Sequence, residues 1–254
     1  MVDIHSHVIY GVDDGARTLE DSLALVRMAA ESGTTDLVAT PHANPTYPYH
    51  RELLKDRLEQ IRKGAGGSIR LYLGCDFYLS YDNIQDAIAN PSKYTINEQN
   101  YLLVEFSDML VFRNTGEIFE RLQDAGMTPI ITHPERNALI RQRLDDLQSW
   151  VENGAYVQIT AQSLLGTFGR QAREFCGTLL DRNLVHFIAS DAHDVERRPP
   201  KLDGAYALLK KQYGDSFAET LCVTNPAAVL TGQALEIPDR EIGAEPRKWY
   251  QIWR

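Results

Sequence analysis

Histidines and carboxylates stand at the ends of short apolar runs throughout this sequence. The first are His5 and His7, which follow residues 2–4 at the start of the chain. Side chains two residues apart on an extended strand point to the same side, so both imidazoles can face one ion. Imidazole and carboxylate are common ligands of divalent metals. The candidate ligands are His5, His7, Asp14, His42, Asp76, Glu105, His133, Asp191 and His193.

The composition of this ligand set indicates which metals it suits. It contains nitrogen and oxygen donors without thiolate, and its many carboxylates favour Mn or Fe, with Zn as an alternative. Nine ligands are too many for one ion and suffice for roughly two or three. Glu105 lies between Val104 and Phe106, where an uncompensated carboxylate is costly to bury. A metal would compensate it, as would a buried salt bridge or a strand end that reaches solvent.

Two arginines lie close to these ligands in the sequence. Arg136 follows His133 by three residues, and Arg198 follows His193 by five. A guanidinium beside a cationic metal cluster is repelled unless an anion lies between them, and a phosphoryl group suits its forked geometry. The alternative for each arginine is an ordinary surface salt bridge. Metals and arginines together predict metal-assisted hydrolysis of a phosphomonoester.

The elements that position these residues alternate between strand and helix. The apolar runs lack polar alternation, which predicts parallel strands buried on both faces. They cover residues 2–4, 36–40, 71–73, 101–106, 128–132, 156–159 and 186–189. Amphipathic helices are predicted at about 19–33, 50–63, 116–125, 144–153 and 169–182, and again at 199–213, 217–222 and from Asn225. This order predicts an α/β fold, a distorted (β/α)7 barrel of the TIM-barrel type, with its active site at the C-terminal ends of the strands.

Length and composition fit one globular domain. The 254 residues are 43% hydrophobic, and we expect a catalytic barrel at residues 1–235 and a C-terminal extension at 236–254. The formal charge of −9 opposes nucleic-acid binding. No apolar run approaches the roughly 18 residues of a membrane span, so no membrane insertion is expected. The odd set Cys75, Cys176 and Cys222 predicts reduced thiols and a cytoplasmic protein.

One cysteine has the spacing of a thiol-based phosphatase. Cys176 and Arg182 match the Cys-x5-Arg pattern, in which a loop wraps its backbone N–H groups around phosphate. Here the intervening residues continue an amphipathic helix, whose amides are already hydrogen-bonded. We therefore reject thiol-based catalysis.

Aromatic residues follow His42 at the predicted active-site end. Tyr47, Pro48 and Tyr49 lie in the loop after this strand. They could line a slot for an aromatic substrate or simply pack over the barrel rim.

These motifs resemble those of a known superfamily. The segments that carry the resemblance are Asp3-Ile-His5-Ser-His7, Val12-Asp-Asp-Gly15, His42, Val104-Glu-Phe106, His133-Pro-Glu-Arg136, Ala189-Ser-Asp191-Ala-His193 and Arg198-Pro-Pro. They look like the PHP (polymerase and histidinol phosphatase) superfamily. More narrowly, they are similar to the bacterial manganese-dependent protein-tyrosine phosphatases encoded with capsule and exopolysaccharide genes. The resemblance extends from residue 2 to about residue 231.

The resemblance implies a specific enzyme. It implies three Mn²⁺ ions in a (β/α)7 barrel and hydrolysis of phosphotyrosine in the tail of a membrane-associated bacterial tyrosine kinase. All nine candidate ligands match the family's ligands by position, while Arg136 and Arg198 match its phosphate-binding arginines. Asp76 departs from the pattern because relatives commonly carry Glu there. A homo-oligomer is compatible with the sequence, but its order cannot be read from it.

Three other functions remain open at this stage. Hydrolysis of histidinol phosphate or another small phosphoester would use the same metals, and a deep closed pocket would favour it over a peptide. Metal amidohydrolases also begin with His-x-His, but they usually carry a bridging lysine on the strand where this chain has Glu105. A non-catalytic regulator would have little use for a complete set of buried ligands, because carboxylates without metal destabilise a fold.

Overall fold

The fold is built from nine short strands in two parallel sheets. A computed structural model describes residues 1–236. The first sheet has the order β1 (Val2–Ser6), β2 (Asp36–Ala39) and β4 (Arg70–Leu73). The second has the order β3 (His42–Ala43), β5 (Asp76–Tyr78), β6 (Tyr101–Glu105), β7 (Thr128–Thr132), β8 (Tyr156–Thr160) and β9 (Phe187–Ala189). Every residue of β1, β2 and β9 is buried, as expected for strands covered on both faces.

Two of the seven predicted strands, at residues 36–40 and 71–73, are each followed by a short strand that was not predicted, and the breaks between them divide the sheet. The chain passes from β2 to β3 at Pro41, which has no N–H for the ladder. It passes from β4 to β5 at Gly74, where a Cβ atom would lie 3.1 Å from both Val38 and Ile96. The close approach of neighbouring segments therefore requires glycine at this position. At each break, the strand before it (β2 or β4) belongs to the first sheet and the strand after it (β3 or β5) belongs to the second.

The first and last strands of the chain meet at an isolated bridge. Ser6 forms a parallel bridge with Ala192 just after β9. The amide of His7 donates to the carbonyl of Ala192 at 2.8 Å, and the amide of Asp191 donates to the carbonyl of His5 at 2.8 Å. The predicted distorted (β/α)7 barrel is confirmed, and the distortion is the division into two sheets.

The first helix begins where the sequence predicts. In α1 (Leu19–Glu31), the amide of Asp21 donates to Thr18 Oγ1 at 3.2 Å, and the amide of Thr18 donates to Asp21 Oδ2 at 3.0 Å. This reciprocal pair is a capping box. Leu25, Val26 and Ala29 of this helix fill the core, while Leu23 is half-buried.

The other predicted helices are present with small shifts, and two were missed. The helices are α2 (Arg51–Ala65), α3 (Tyr81–Ala89), α4 (Thr115–Asp124), α5 (Leu144–Glu152), α6 (Ala161–Leu165), α7 (Arg170–Asp181), α8 (Asp203–Tyr213), α9 (Asp215–Glu219) and α10 (Asn225–Thr231). The missed helices are α3 and α6. The predicted start at residue 199 was wrong, because Pro200 disfavours helical backbone at Pro199. Residues 237–254 of the predicted extension lie outside the described residues.

Within residues 1–236, no helix combines the length and the apolar character needed to cross a membrane.

Candidate metal centre

The barrel brings all nine predicted ligands together at the C-terminal ends of its strands. Each offers one nitrogen or oxygen atom, and within each of four overlapping groups these atoms lie within 4.8 Å of one another. The groups are His7, Asp14, His42 and His193; His5, His7 and Asp76; His5, His133 and Asp191; and His42, Asp76 and Glu105. The groups contain all nine candidates and no other described residue. Their role as metal ligands stays a prediction.

Asp191 lies at the centre of one side of the cluster. Its Oδ1 atom is 3.4 Å from His5 Nε2 and 3.3 Å from His7 Nε2. It is also 3.7 Å from Nδ1 of His193. A carboxylate oxygen shared between several imidazoles would be a ligand for a bound cation.

His42 connects the other side of the cluster. Its Nε2 atom is 3.3 Å from Asp14 Oδ1, and the same oxygen is 3.3 Å from His193 Nε2. Its Nδ1 atom is 3.2 Å from Asp76 Oδ2 and 3.4 Å from Glu105 Oε2. The shorter arm of Asp76 therefore still reaches the cluster.

Two of the nine residues have strained backbones. His133 has φ of 33° and Asp191 has φ of 51°, in the left-handed region that residues other than glycine rarely adopt. Each is held there by its amide, which donates to the carbonyl of Gln158 at 2.9 Å and of His5 at 2.8 Å, respectively. Such strain is typical of functional sites, where the surrounding structure enforces it.

Asp13 supports the cluster from behind, a role that the sequence reasoning missed. Its Oδ2 atom accepts hydrogen bonds from Nδ1 of His7 at 2.8 Å and from the amide of His42 at 3.2 Å. Its Oδ1 atom accepts from the amide of Gly15 at 3.0 Å. A proton held on Nδ1 leaves the lone pair of His7 on Nε2, the nitrogen that faces the cluster.

Gln158 and Asp3 position His5, the first through its imidazole ring and the second through its backbone amide. Gln158 Oε1 lies 2.9 Å from His5 Nδ1, and Asp3 Oδ1 accepts from the amides of Ser190 at 3.0 Å and His5 at 3.3 Å. Burial raises the pKa of Asp3 to about 6. Both residues interrupt apolar runs in the sequence, and this interruption was a signal that could have identified them.

The electrostatics of the cluster favour cations. Although burial opposes their charged forms, nearby carboxylates raise the pKa of His5 to about 9 and raise the pKa of His42 strongly. Burial and Arg136 lower the pKa of His133 to about 3, so this imidazole stays neutral and keeps the lone pair of one ring nitrogen for a ligand role. Burial and His7 lower the pKa of His193 to about 4. Histidines that share carboxylates carry protons, and a metal can replace those protons.

The atoms that lack hydrogen-bond partners also fit a metal. Nδ1 of His42, Oδ2 of Asp76 and Nε2 of His193 are buried without a hydrogen-bond partner. All three residues belong to the groups described above. Buried polar atoms are normally satisfied, so unpartnered nitrogen and oxygen atoms in this cluster fit a bound cation. The nitrogen and oxygen donors suit Mn, Fe or Zn.

Arg136 and Arg198 converge on the same carboxylate. Both guanidinium groups donate to Oδ2 of Asp191. Both also lie over the ring of Phe168, with Cζ atoms 4.5 Å and 6.0 Å from its centroid. Their side chains are 26% and 22% exposed, so they reach solvent beside the cluster. Phe168 thus lies beside both guanidinium groups, and nothing in its sequence context indicated this.

A small cavity opens beside the cluster. It has a volume of about 120 Å³ and is lined by Glu105, Asp108, His133 and Arg136 among others. Tyr47 stacks on the ring of His42 at 5.9 Å between centroids. Tyr47 therefore lies beside the cluster. Its role in lining a slot for an aromatic substrate stays a prediction.

The other candidate sites do not join the cluster. The cavity of about 750 Å³ beside α2 contains none of the nine residues, and three of its basic side chains are paired, Arg51 and Lys55 with Glu98, and Lys93 with Asp86. Cys176 is fully buried within α7, and burial raises the pKa of its thiol well above its usual value. This supports the rejection of thiol-based catalysis.

The fold and the cluster define a parallel α/β barrel with metal-type ligands at the C-terminal ends of its strands. The family described as capsular polysaccharide synthesis, CpsB/CapC, matches residues 1–231, and the chain belongs to this family. It is 37% identical to the CapC protein of Staphylococcus aureus over 99% of this chain and 100% of that protein. It is 33% identical to the tyrosine-protein phosphatase YwqE of Bacillus subtilis over 92% of this chain and 93% of that protein.

A solved structure has the same fold. It comes from work on YwqE of Bacillus subtilis and CpsB of Streptococcus pneumoniae, which are described there as metal-dependent tyrosine phosphatases. The TM-score is 0.87 at 32% identity, covering 95% of this chain and 99% of that chain.

Proposed function

We propose that this protein is a metal-dependent protein-tyrosine phosphatase. The observation that carries the proposal is the position of Arg136 and Arg198, which converge at the edge of the nine-ligand cluster. Guanidinium groups beside bound cations are stable when an oxyanion lies between them, and a phosphoryl group meets this requirement. The phosphatase names of relatives at similar length support the same activity.

The nine ligands would hold the metal, which we propose is Mn²⁺, with three ions sharing the four groups. When bound, the ions supply Lewis-acid activation of water near neutral pH and neutralise charge on the phosphoryl oxygens. Asp13 and Gln158 contribute by fixing the orientation of His7 and His5. The centre is therefore held by residues whose own positions are fixed by hydrogen bonds.

The protein's own groups bind and orient the phosphoryl group. We propose that Arg136 and Arg198 turn from Asp191 to the phosphoryl oxygens when substrate enters, and that Phe168 keeps their planes fixed. Hydrogen-bond donors placed where negative charge develops stabilise the transition state and lower the activation free energy. A tyrosine leaves as a phenolate whose conjugate acid has a pKa of about 10, so protonation of the leaving group matters less than for an alkyl alcohol.

The cavity beside the cluster favours a protein substrate over a metabolite. Its volume of about 120 Å³ is well below the roughly 300 Å³ at which small-molecule pockets begin. A phosphotyrosine side chain can reach such a site while the rest of its polypeptide stays outside. This argues against histidinol phosphate, which a deeper pocket would enclose.

We further propose that the substrate is the phosphotyrosine-bearing tail of a membrane-associated bacterial tyrosine kinase and that the reaction regulates capsule or exopolysaccharide synthesis. The CpsB/CapC family match supports this context. A cytoplasmic location is supported by three buried cysteines, all without disulfides. The catalytic unit would be residues 1–235, with residues 236–254 as an extension.

Hydrolysis by chelator-treated protein, with and without added Mn²⁺, tests the proposal. The substrates are a phosphotyrosine peptide, histidinol phosphate and an acyl-amide panel. We expect Mn²⁺-dependent phosphate release from the peptide and a loss of about 10²–10³-fold in Arg136→Ala, typical of removing one transition-state donor. Arg170→Ala is the matched control, because this arginine is 87% exposed on α7. Preference for histidinol phosphate or for the amides would contradict the proposal.

A further inference from the structure

The exposed apolar side chains are confined to one end of the barrel. Residues 1–236 contain six large hydrophobic side chains that are exposed. Each lies in the connection from a strand's C-terminal end or in the short helix or first helical turn that follows it. They are Leu53, Tyr81, Met109, Leu110, Leu165 and Val195, and we call this set the apolar rim.

This confinement distinguishes the rim from ordinary surface exposure. Single exposed apolar side chains are normal on any protein and need no explanation. If these side chains were exposed by chance, some would lie at the opposite end of the barrel, on the connections that lead from helices into the next strands. None of the six described here lies on such a connection. The rim surrounds the end of the barrel that carries the nine-ligand cluster.

The loop that carries Met109 and Leu110 is held in place by hydrogen bonds. Met109 is 88% exposed and Leu110 is 56% exposed. On one side of them, the carbonyl of Ser107 accepts from Asn137 Nδ2 at 3.0 Å. On the other side, the carbonyl of Val111 accepts a hydrogen bond from Nη1 of Arg143 at 3.2 Å. The loop therefore presents its apolar side chains outward from a fixed position.

This loop also borders the proposed phosphoryl site. Asp108, next to Met109, lines the cavity of about 120 Å³ together with Glu105, His133 and Arg136. The loop that carries Met109 and Leu110 therefore begins at the edge of this cavity. A polypeptide segment next to a phosphotyrosine bound there lies within reach of both side chains.

We propose that the apolar rim docks the polypeptide segment that flanks the phosphotyrosine, and that this segment contributes apolar or aromatic side chains. The inference rests on the proposed phosphatase function. It adds that substrate selection takes place outside the cavity, because a cavity of about 120 Å³ is well below the roughly 300 Å³ at which ligand pockets begin and leaves little room for flanking residues. The docking energy then lowers the KM for polypeptides without contributing to small aryl phosphates.

The test compares two substrates in the full-length, Mn²⁺-loaded protein. One is a phosphotyrosine peptide with apolar flanking residues, and the other is p-nitrophenyl phosphate. In a Met109→Ser, Leu110→Ser double variant, we expect kcat/KM for the peptide to fall about tenfold through KM, because two apolar contacts are lost. We expect kcat/KM for p-nitrophenyl phosphate to stay unchanged. Lys63→Ser, an exposed position near the far end of α2, is the control and should match the wild type on both substrates.

The possible outcomes are distinguishable. Equal losses on both substrates would show that the loop shapes the catalytic site, and no loss on either would show that the loop does not dock substrate, so both overturn the inference. A change in sedimentation mass with unchanged peptide kinetics would assign the rim to contacts between copies of this chain and would also overturn it. Failure of the wild type to hydrolyse either substrate would instead overturn the proposed function itself.

Discussion

Replacement of Asp13 by asparagine should weaken metal binding although Asp13 is not a proposed ligand. Three donors converge on its carboxylate: Nδ1 of His7, the amide of His42 and the amide of Gly15. An asparagine has one acceptor oxygen and one NH₂ group, so at least one of these donors would face another donor. If that donor is His7, its proton must move to Nε2, the nitrogen that faces Asp191 and the cluster.

The magnitude follows from the role of the lost contact. Partners that orient a ligating histidine typically contribute about 10–100-fold to metal affinity, which corresponds to about 1.4–2.7 kcal/mol. The upper part of this range is expected here, because the side chain of Asp13 is fully buried and its bond to His7 is 2.8 Å long. Water cannot substitute for the missing acceptor at a position with no exposure.

Competition with a fluorescent chelator for Mn²⁺ measures this effect directly. Asp21→Asn is the matched control, because it makes the same chemical change in the capping box of α1, away from the cluster. We expect it to lower the free energy of unfolding by about 0.5–1 kcal/mol and to leave Mn²⁺ affinity unchanged. Wild-type affinity in Asp13→Asn, or an equal loss in Asp21→Asn, would refute the positioning role.

Three further predictions follow from other parts of the molecule. Gly15→Ala places a Cβ atom 2.1 Å from the carbonyl oxygen of His7, so we expect a loss of about 1–3 kcal/mol in urea unfolding and weaker Mn²⁺ binding; wild-type values for both would contradict this. Burial lowers the pKa of His186 to about 4, below its unfolded value, so stability present above about pH 6.5 is lost as pH falls towards 4, by up to about 3 kcal/mol. His186→Asn should flatten this dependence in unfolding curves measured at pH 7 and pH 4.5, and an unchanged slope would contradict it. Chelation should lower the melting temperature, because metal binding at about 1,000 times the dissociation constant contributes about 4 kcal/mol to the free energy of unfolding. Re-addition of Mn²⁺ should restore the melting temperature.

Most of the barrel could be predicted because buried parallel strands leave a clear pattern. All seven predicted strands are present, since continuous apolar runs such as residues 101–104 are buried on both faces. The convergence of the nine candidates could be predicted for a related reason. Residues at the C-terminal ends of parallel strands meet at one end of the barrel, even when His5 and Asp191 are far apart in sequence.

The parts that could not be predicted depend on distances between elements. Helix α6 has only five residues, too few to show a helical period. The stacking of Phe168 under two arginines depends on how three separate loops meet. Asp13 was visible beside Asp14, but only the structure shows that its carboxylate turns back to His7 and the amide of His42.

The break in the sheet brings Asp76 into the cluster. Because the chain changes sheets at Pro41 and Gly74, β3 and β5 become direct neighbours, with His42 paired in register with Asp76. Adjacent parallel strands lie about 4.8 Å apart, so the two side chains start close together. Asp76 Oδ2 thus comes within 3.2 Å of His42 Nδ1 and 3.6 Å of His5 Nε2. The same breaks that distort the barrel therefore bring Asp76 into the cluster.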